Sequence, residues 1–146
     1  MSDSPVVTAL LAAAAAENAA VYGYAVAGAR LATGQAKNAA RTAYDAHRAQ
    51  VQTVTQWLAG LGATPAPAAP VYQLPNPVVD NPSARNLLAA IEESTAAAYA
   101  DVVAVASGQL QHDAALELQA AAIREAQWRT APVPFPGLVG RLPGSD

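Results

Sequence analysis

Six prolines fall between positions 65 and 82, at Pro65, Pro67, Pro70, Pro75, Pro77 and Pro82. Each removes a backbone donor and clashes with the preceding turn, so no long helix can form there. The chain is cut into two halves, each of which reads as a pair of long helical runs. Some twenty residues in an extended, polyproline-like form span roughly 60 Å at about 3.1 Å per residue. A helix over 35–59 spans roughly 40 Å at about 1.5 Å per residue. The connection over 60–81 is therefore long enough to run back along an entire helical bundle. Val71, Tyr72 and Leu74 are the residues expected to pack it down.

The rest of the chain is helical by composition and periodicity. About a quarter of it is alanine, the best helix former, and β-branched residues never alternate over a strand-length run. Ser4 and Pro5 form a helix start, a hydroxyl at the N-cap followed by proline at the first helical position. Helix 1 is expected over 5–32, closed by Gly34, and helix 2 over 35–59, stopped by Gly60 and Gly62. So short a connection makes them antiparallel. Asn81-Pro82 repeats the start for helix 3 over 82–106, and Ser107-Gly108 separates it from helix 4 over 110–129. The expected fold is all-α: one domain over 1–146, an antiparallel four-helix bundle with a long Pro-rich crossover between helices 2 and 3. The tail over 131–146 carries four more prolines and reads as extended. Phe135, Leu138 and Val139 are expected to dock it on its own bundle or on a partner.

Heptad spacing assigns the buried faces and exposes an anomaly. Leu10, Ala14, Glu17, Val21, Tyr24, Gly28 and Leu31 form one stripe of helix 1, so an acid lies on the face that should be buried. A core carboxylate needs a partner, a proton or a metal. The stripe of helix 2 is Ala40, Tyr44, His47, Val51, Val54 and Leu58, with Trp57 just off it. That of helix 3 is Leu88, Glu92, Thr95, Tyr99 and Val102. For helix 4, periodicity allows either Leu116/Ala120/Ile123/Gln127 or Leu110/Ala114/Glu117/Ala121/Arg124/Trp128. Glu17 and Tyr24 are seven apart, as are Glu92 and Tyr99, which suggests two related hairpins. In such a bundle Glu17, Tyr44, His47, Glu92 and one of Glu117 or Glu125 converge near the middle.

Charge and residue types narrow the functional classes. The formal charge is -3, and the seven Arg and one Lys are spread singly, so no clustered basic face is offered to nucleic acid. Cysteine is absent, which removes disulfides and thiol chemistry. No Lys or Arg precedes Arg30, so the start lacks the basic region of a secretory signal, and a cytoplasmic location is expected. The segment from Val6 to Ala29 is long enough to cross a bilayer, but Glu17, Asn18 and Thr8 oppose insertion, and no membrane association is expected. Arg41-Asp45 and Glu125-Arg129 have the spacing of surface pairs, and His112-Asp113 reads as a helix cap. No Ser-His-Asp order and no glycine-rich phosphate loop is present.

The helix order, the long second connection and the placement of Glu17, His47, Glu92 and a helix 4 acid resemble the ferritin-like superfamily. More narrowly, several runs resemble an alanine-rich actinobacterial family with a ferritin-like domain. They are E-N-A-A-V-Y-G-Y from Glu17, Ala46-His47-Arg48, the crossover's Y-Q-L-P, the E-E-S-T-A-A-A-Y run from Glu92, and A-Q-W-R ending at Arg129. That likeness implies a fold more than a reaction. The superfamily pattern implies a di-iron or di-manganese site with six ligands, of which Glu17, His47, Glu92 and Glu125 match four. Tyr44 stands three residues before His47 where an acid is expected. Trp128 stands three after Glu125 where a histidine is expected, and the alternative Glu117 is followed at that spacing by Ala120.

The expected outcome is a degenerate metal site turned into a hydrogen-bonded core network of Glu17, Tyr24, Tyr44, His47, Glu92, Tyr99, Arg124 and Glu125, with Arg124 supplying the charge of the lost cation. No catalytic residue and no cofactor is expected, and the role is that of a non-enzymatic structural or interaction protein, a homodimer with an unidentified protein partner. One alternative is an iron or manganese oxidoreductase using Glu17, His47, Glu92 and Glu125. Another is a binder of small molecules in the core beside Trp57, Trp128 and the tyrosines.

Overall fold

The computed structural model describes residues 4–129. Among them are four helices and no strand: α1 (Pro5–Gly28), α2 (Gly34–Gly60), α3 (Asn81–Val105) and α4 (Gly108–Arg129). The fold is an all-α four-helix bundle. α1 packs between α2 and α3, and α3 packs also on α4.

Helix starts follow the local chemistry. Ser4 Oγ accepts the Val7 N–H at 3.2 Å with Pro5 behind it, and Thr33 Oγ1 caps α2 through the Ala36 N–H. The cap of α3 is Asp80 rather than Asn81. Its carboxylate accepts the Ser83 N–H at 2.9 Å while Ser83 Oγ takes the Asp80 N–H at 3.0 Å, a reciprocal capping box. Asn81 is used elsewhere, its Oδ1 accepting the Ala32 N–H. That bond, together with the burial of Leu31, ends α1 at Gly28, four residues before the expected limit. Gly108, at φ +63°, makes the sharp turn that lets α4 begin at once. His112 and Asp113 therefore lie within α4 instead of capping it, and Asp113 accepts from the Gln109 amide.

The core falls into two clusters that fix the helix directions. One joins Ala20, Tyr24, Ala27 and Leu31 of the α1 end to Ala40 and Ala43, to Ala84, Leu87, Leu88 and Ile91, and to Trp128. The other joins Val7, Leu10, Ala13 and Ala14 to Val54 and Leu58, to Tyr99 and Val102, and to Ala114. α1 thus runs antiparallel to α2 and to α3, and α3 antiparallel to α4, while α2 and α3 run parallel and need the long crossover to join them. All five residues of the α3 stripe are buried. On α1 and α2, Val21, Gly28, Tyr44 and Val51 are half-buried rather than fully enclosed. Leu116 and Ile123 are each 51% exposed while Ala114, Ala121 and Trp128 are buried, which settles the face of α4.

The chain between Gly60 and Asn81 forms no helix or strand and lies along α1. Tyr72 sets its ring 5.7 Å from Tyr22, and Leu74 and Val78 pack on the first cluster, while Val71 is 67% exposed and packs nothing down. Gly23 in mid-helix makes this close packing possible: a Cβ there would lie 2.0 Å from Ile91 Cδ1 and 3.9 Å from Leu74 Cδ2. By length and composition α1 could also cross a membrane, a property it shares with core helices of soluble bundles. The expected docking of Phe135, Leu138 and Val139 lies outside the described residues.

Candidate functional site

Between the two clusters the core is polar. Glu17 (α1), His47 (α2), Glu92 and Thr95 (α3) are each no more than 1% exposed. Such groups survive burial only when their hydrogen-bonding capacity is met. Thr95 meets it locally by donating to the Ile91 carbonyl. The other three meet most of it through one another and through two tyrosines and an arginine. His47 bridges two carboxylates, Nδ1 to Glu17 Oε2 at 2.5 Å and Nε2 to Glu92 Oε1 at 2.8 Å. Tyr99 donates to Glu17 Oε1 and Tyr24 donates to Glu92 Oε1, both at 2.6 Å. The two Glu-Tyr pairs, seven residues apart on each helix, are thus exchanged between antiparallel α1 and α3.

α4 completes the arrangement. Arg124 Nε reaches Glu92 Oε1 at 2.8 Å and is 20% exposed. Trp128 donates its indole N–H to the Tyr24 hydroxyl at 2.8 Å. Arg124 on α4 thus does for Glu92 what His47 on α2 does for Glu17. Gln50, three residues after His47, lies beside the Tyr99 hydroxyl as Trp128 lies beside that of Tyr24, although Gln50 Nε2 completes no hydrogen bond. Glu92 Oε1 accepts three donors and its Oε2 accepts none.

The charges follow from this geometry. Both ring nitrogens of His47 face carboxyl oxygens, an arrangement that suits a doubly protonated imidazolium donating to two carboxylates. Burial by itself would lower the His47 pKa, but the hydrogen bonds and charges of Glu17 and Glu92 outweigh it and push it up to about 9. Burial likewise opposes ionisation of Glu92, yet His47 and then Arg124 hold its pKa below the usual carboxylate value. Both tyrosine hydroxyls are driven upward by burial and the adjoining acid, so they stay protonated and donate. Two carboxylates are therefore balanced by one imidazolium and one guanidinium. Glu117, half-buried on α4, is raised by burial and then by the charge of Glu17.

Of the residues expected at the site, Glu17, Tyr24, His47, Glu92, Tyr99 and Arg124 are brought into one bonded group. Tyr44 and Glu125 stand outside it. Tyr44 packs its ring on the first cluster with the Arg48 guanidinium 5.7 Å from its centroid. Glu125 points away and accepts from Arg129 Nε at 2.9 Å, because it lies one position beyond Arg124 and hence a hundred degrees round the helix. Trp128 and Gln50 were not expected as members. Their spacing, four after Arg124 and three after His47 on the same face, is the signal that points to them.

The fold and the site define an all-α bundle with a charge-balanced polar core. The chain belongs to the family described as Domain of unknown function (DUF4439), whose model matches residues 9–140. It is similar to a conserved hypothetical protein from Mycobacterium tuberculosis whose crystal structure is known. The identity is 29%, the match covers 88% of this chain and 98% of that one, and the TM-score is 0.82. No curated protein matches.

Proposed function

We propose that the chain is a ferritin-like protein in which protein cations have replaced a metal centre, and that its role is structural or interactive rather than catalytic. The observation that supports this most is His47, whose two nitrogens are both spent on carboxylates. A metal ligand must offer a nitrogen lone pair, and an imidazolium has none. Arg124 sits on Glu92, where a cation would otherwise neutralise the acid. Among the described residues no group of three or more His, Asp or Glu side chains is placed to hold a metal ion. The donors present therefore do not suit a di-iron or di-manganese site, and no redox step is assigned to them. Glu92 Oε2, the one buried side-chain oxygen without a partner among the described residues, is one ligand atom and not a coordination shell.

With the interior closed, contacts are left to the surface. Leu116 and Ile123 lie two turns apart on the outer face of α4, half exposed, and suit a second copy of the chain. Protein purified without chelators is expected to carry no stoichiometric iron, manganese or zinc and to sediment as a dimer at micromolar concentration. Tight stoichiometric metal would overturn the first half of this reading and a monomer the second.

A further inference from the structure

Between the C-terminal half of α1 and the N-terminal half of α2 lies a surface depression of about 590 Å³. That volume is within the range of small-molecule sites, roughly 300–1,000 Å³. It exists because Ala25, Gly28, Ala29 and Ala40 leave its floor without bulk. Its polar groups are unevenly placed. Lys37 and Arg41, one turn apart on α2, both line it, and neither has an ion pair among the described residues. Apart from Arg30, just past the end of α1, the other described arginines are engaged: Arg124 with Glu92, Arg129 with Glu93 and Glu125, Arg85 with the Gln127 carbonyl, and Arg48 with the Tyr44 ring. On a chain of formal charge -3, two adjoining unspent cations beside an apolar floor are a local exception.

We propose that this depression binds a small monocarboxylate with an apolar body, its carboxylate held by Lys37 and Arg41 and its body lying on the alanine floor against Tyr44. Arg and Lys together supply charge-assisted donors to a carboxylate, and Arg can grip it with two parallel N–H groups. Asp45, also on the rim, repels a second negative charge and so selects against dicarboxylates and phosphates. Tyr24, whose hydroxyl bonds Glu92, is also among the residues lining the depression, so the depression borders the buried network without opening into it. The site is separate from the network's own chemistry, and its success or failure leaves the metal question untouched.

The test is thermal shift and calorimetry on the full chain with acetate, hexanoate, benzoate, benzamide, succinate and inorganic phosphate. Stabilisation is expected to rise from acetate to hexanoate and benzoate and to be absent with benzamide, succinate and phosphate. Arg41→Gln is expected to weaken benzoate at least about tenfold, as loss of a charged donor would, with the unliganded melting temperature unchanged because Arg41 is exposed. Asp45→Asn is expected to admit succinate. Equal binding of benzamide, binding of phosphate as tight as that of benzoate, benzoate affinity unaffected by Arg41→Gln, or no binding at all would each overturn the proposal.

Discussion

His47 is the residue on which the interior turns. Its imidazolium separates Glu17 from Glu92, and both acids are completely enclosed. Removing one partner from a buried ion pair leaves an uncompensated charge, a loss of about 3–5 kcal/mol. His47→Ala is therefore expected to lower stability by that amount in denaturant titration, and a loss under about 1 kcal/mol would contradict the role given to the ring. The site was legible at this scale because an acid on an apolar stripe has few explanations. Glu17, His47 and Glu92 share faces with residues that could only be buried. Tyr44 and Glu125 were misplaced because heptad spacing locates a side chain only to within one helical step, and one step separates Glu125 from Arg124. Trp128 was read as a residue of the buried face of helix 4 and Gln50 was not singled out, and only their neighbours make them part of the network.

At the scale of elements, small residues decide what can approach what. α1 carries Gly23 where Ile91 of α3 and Leu74 of the crossover close in. Alanine is the better helix former by about 1 kcal/mol, but its methyl would meet Ile91 Cδ1. Gly23→Ala is expected to destabilise by about 1–2 kcal/mol. Adding Ile91→Val, which removes that δ-methyl, should reverse the sign, so that the double variant is more stable than Ile91→Val alone by up to about 1 kcal/mol. Additive effects of the two changes in thermal melts would count against the contact. Helix number, order and the crossover were readable from the prolines and caps. The end of α1 was not, because Leu31 and the Ala32 amide are claimed by tertiary contacts that no local pattern announces. The buried face of α4 was also undecided in the sequence, since its two candidate stripes are equally periodic and only packing on α3 separates them.

For the whole molecule, the balanced core makes stability a function of pH. His47, raised from 6.5 to about 9, stabilises the fold fully below pH 6.5, and that contribution is lost as pH climbs through 9. Its size is roughly 3 kcal/mol. Glu117, also raised, adds a loss in the same direction. Glu92, held low, acts oppositely: its contribution is present above about pH 4.5 and disappears as pH falls through its folded value. Stability is thus expected to be greatest between about pH 5 and 6.5 and to fall markedly by pH 9; a melting temperature that rises from pH 7 to 9 would refute the assignment. The most direct measurement is a nitrogen-15 NMR titration of the imidazole side chains, with exposed His112 assigned through His112→Gln. The expected result is that both nitrogens of His47 carry protons at pH 7 and that the ring titrates near pH 9. A His47 ring with one unprotonated nitrogen at pH 7, whether neutral or bound to a metal, would contradict an interior balanced by the protein's own cations.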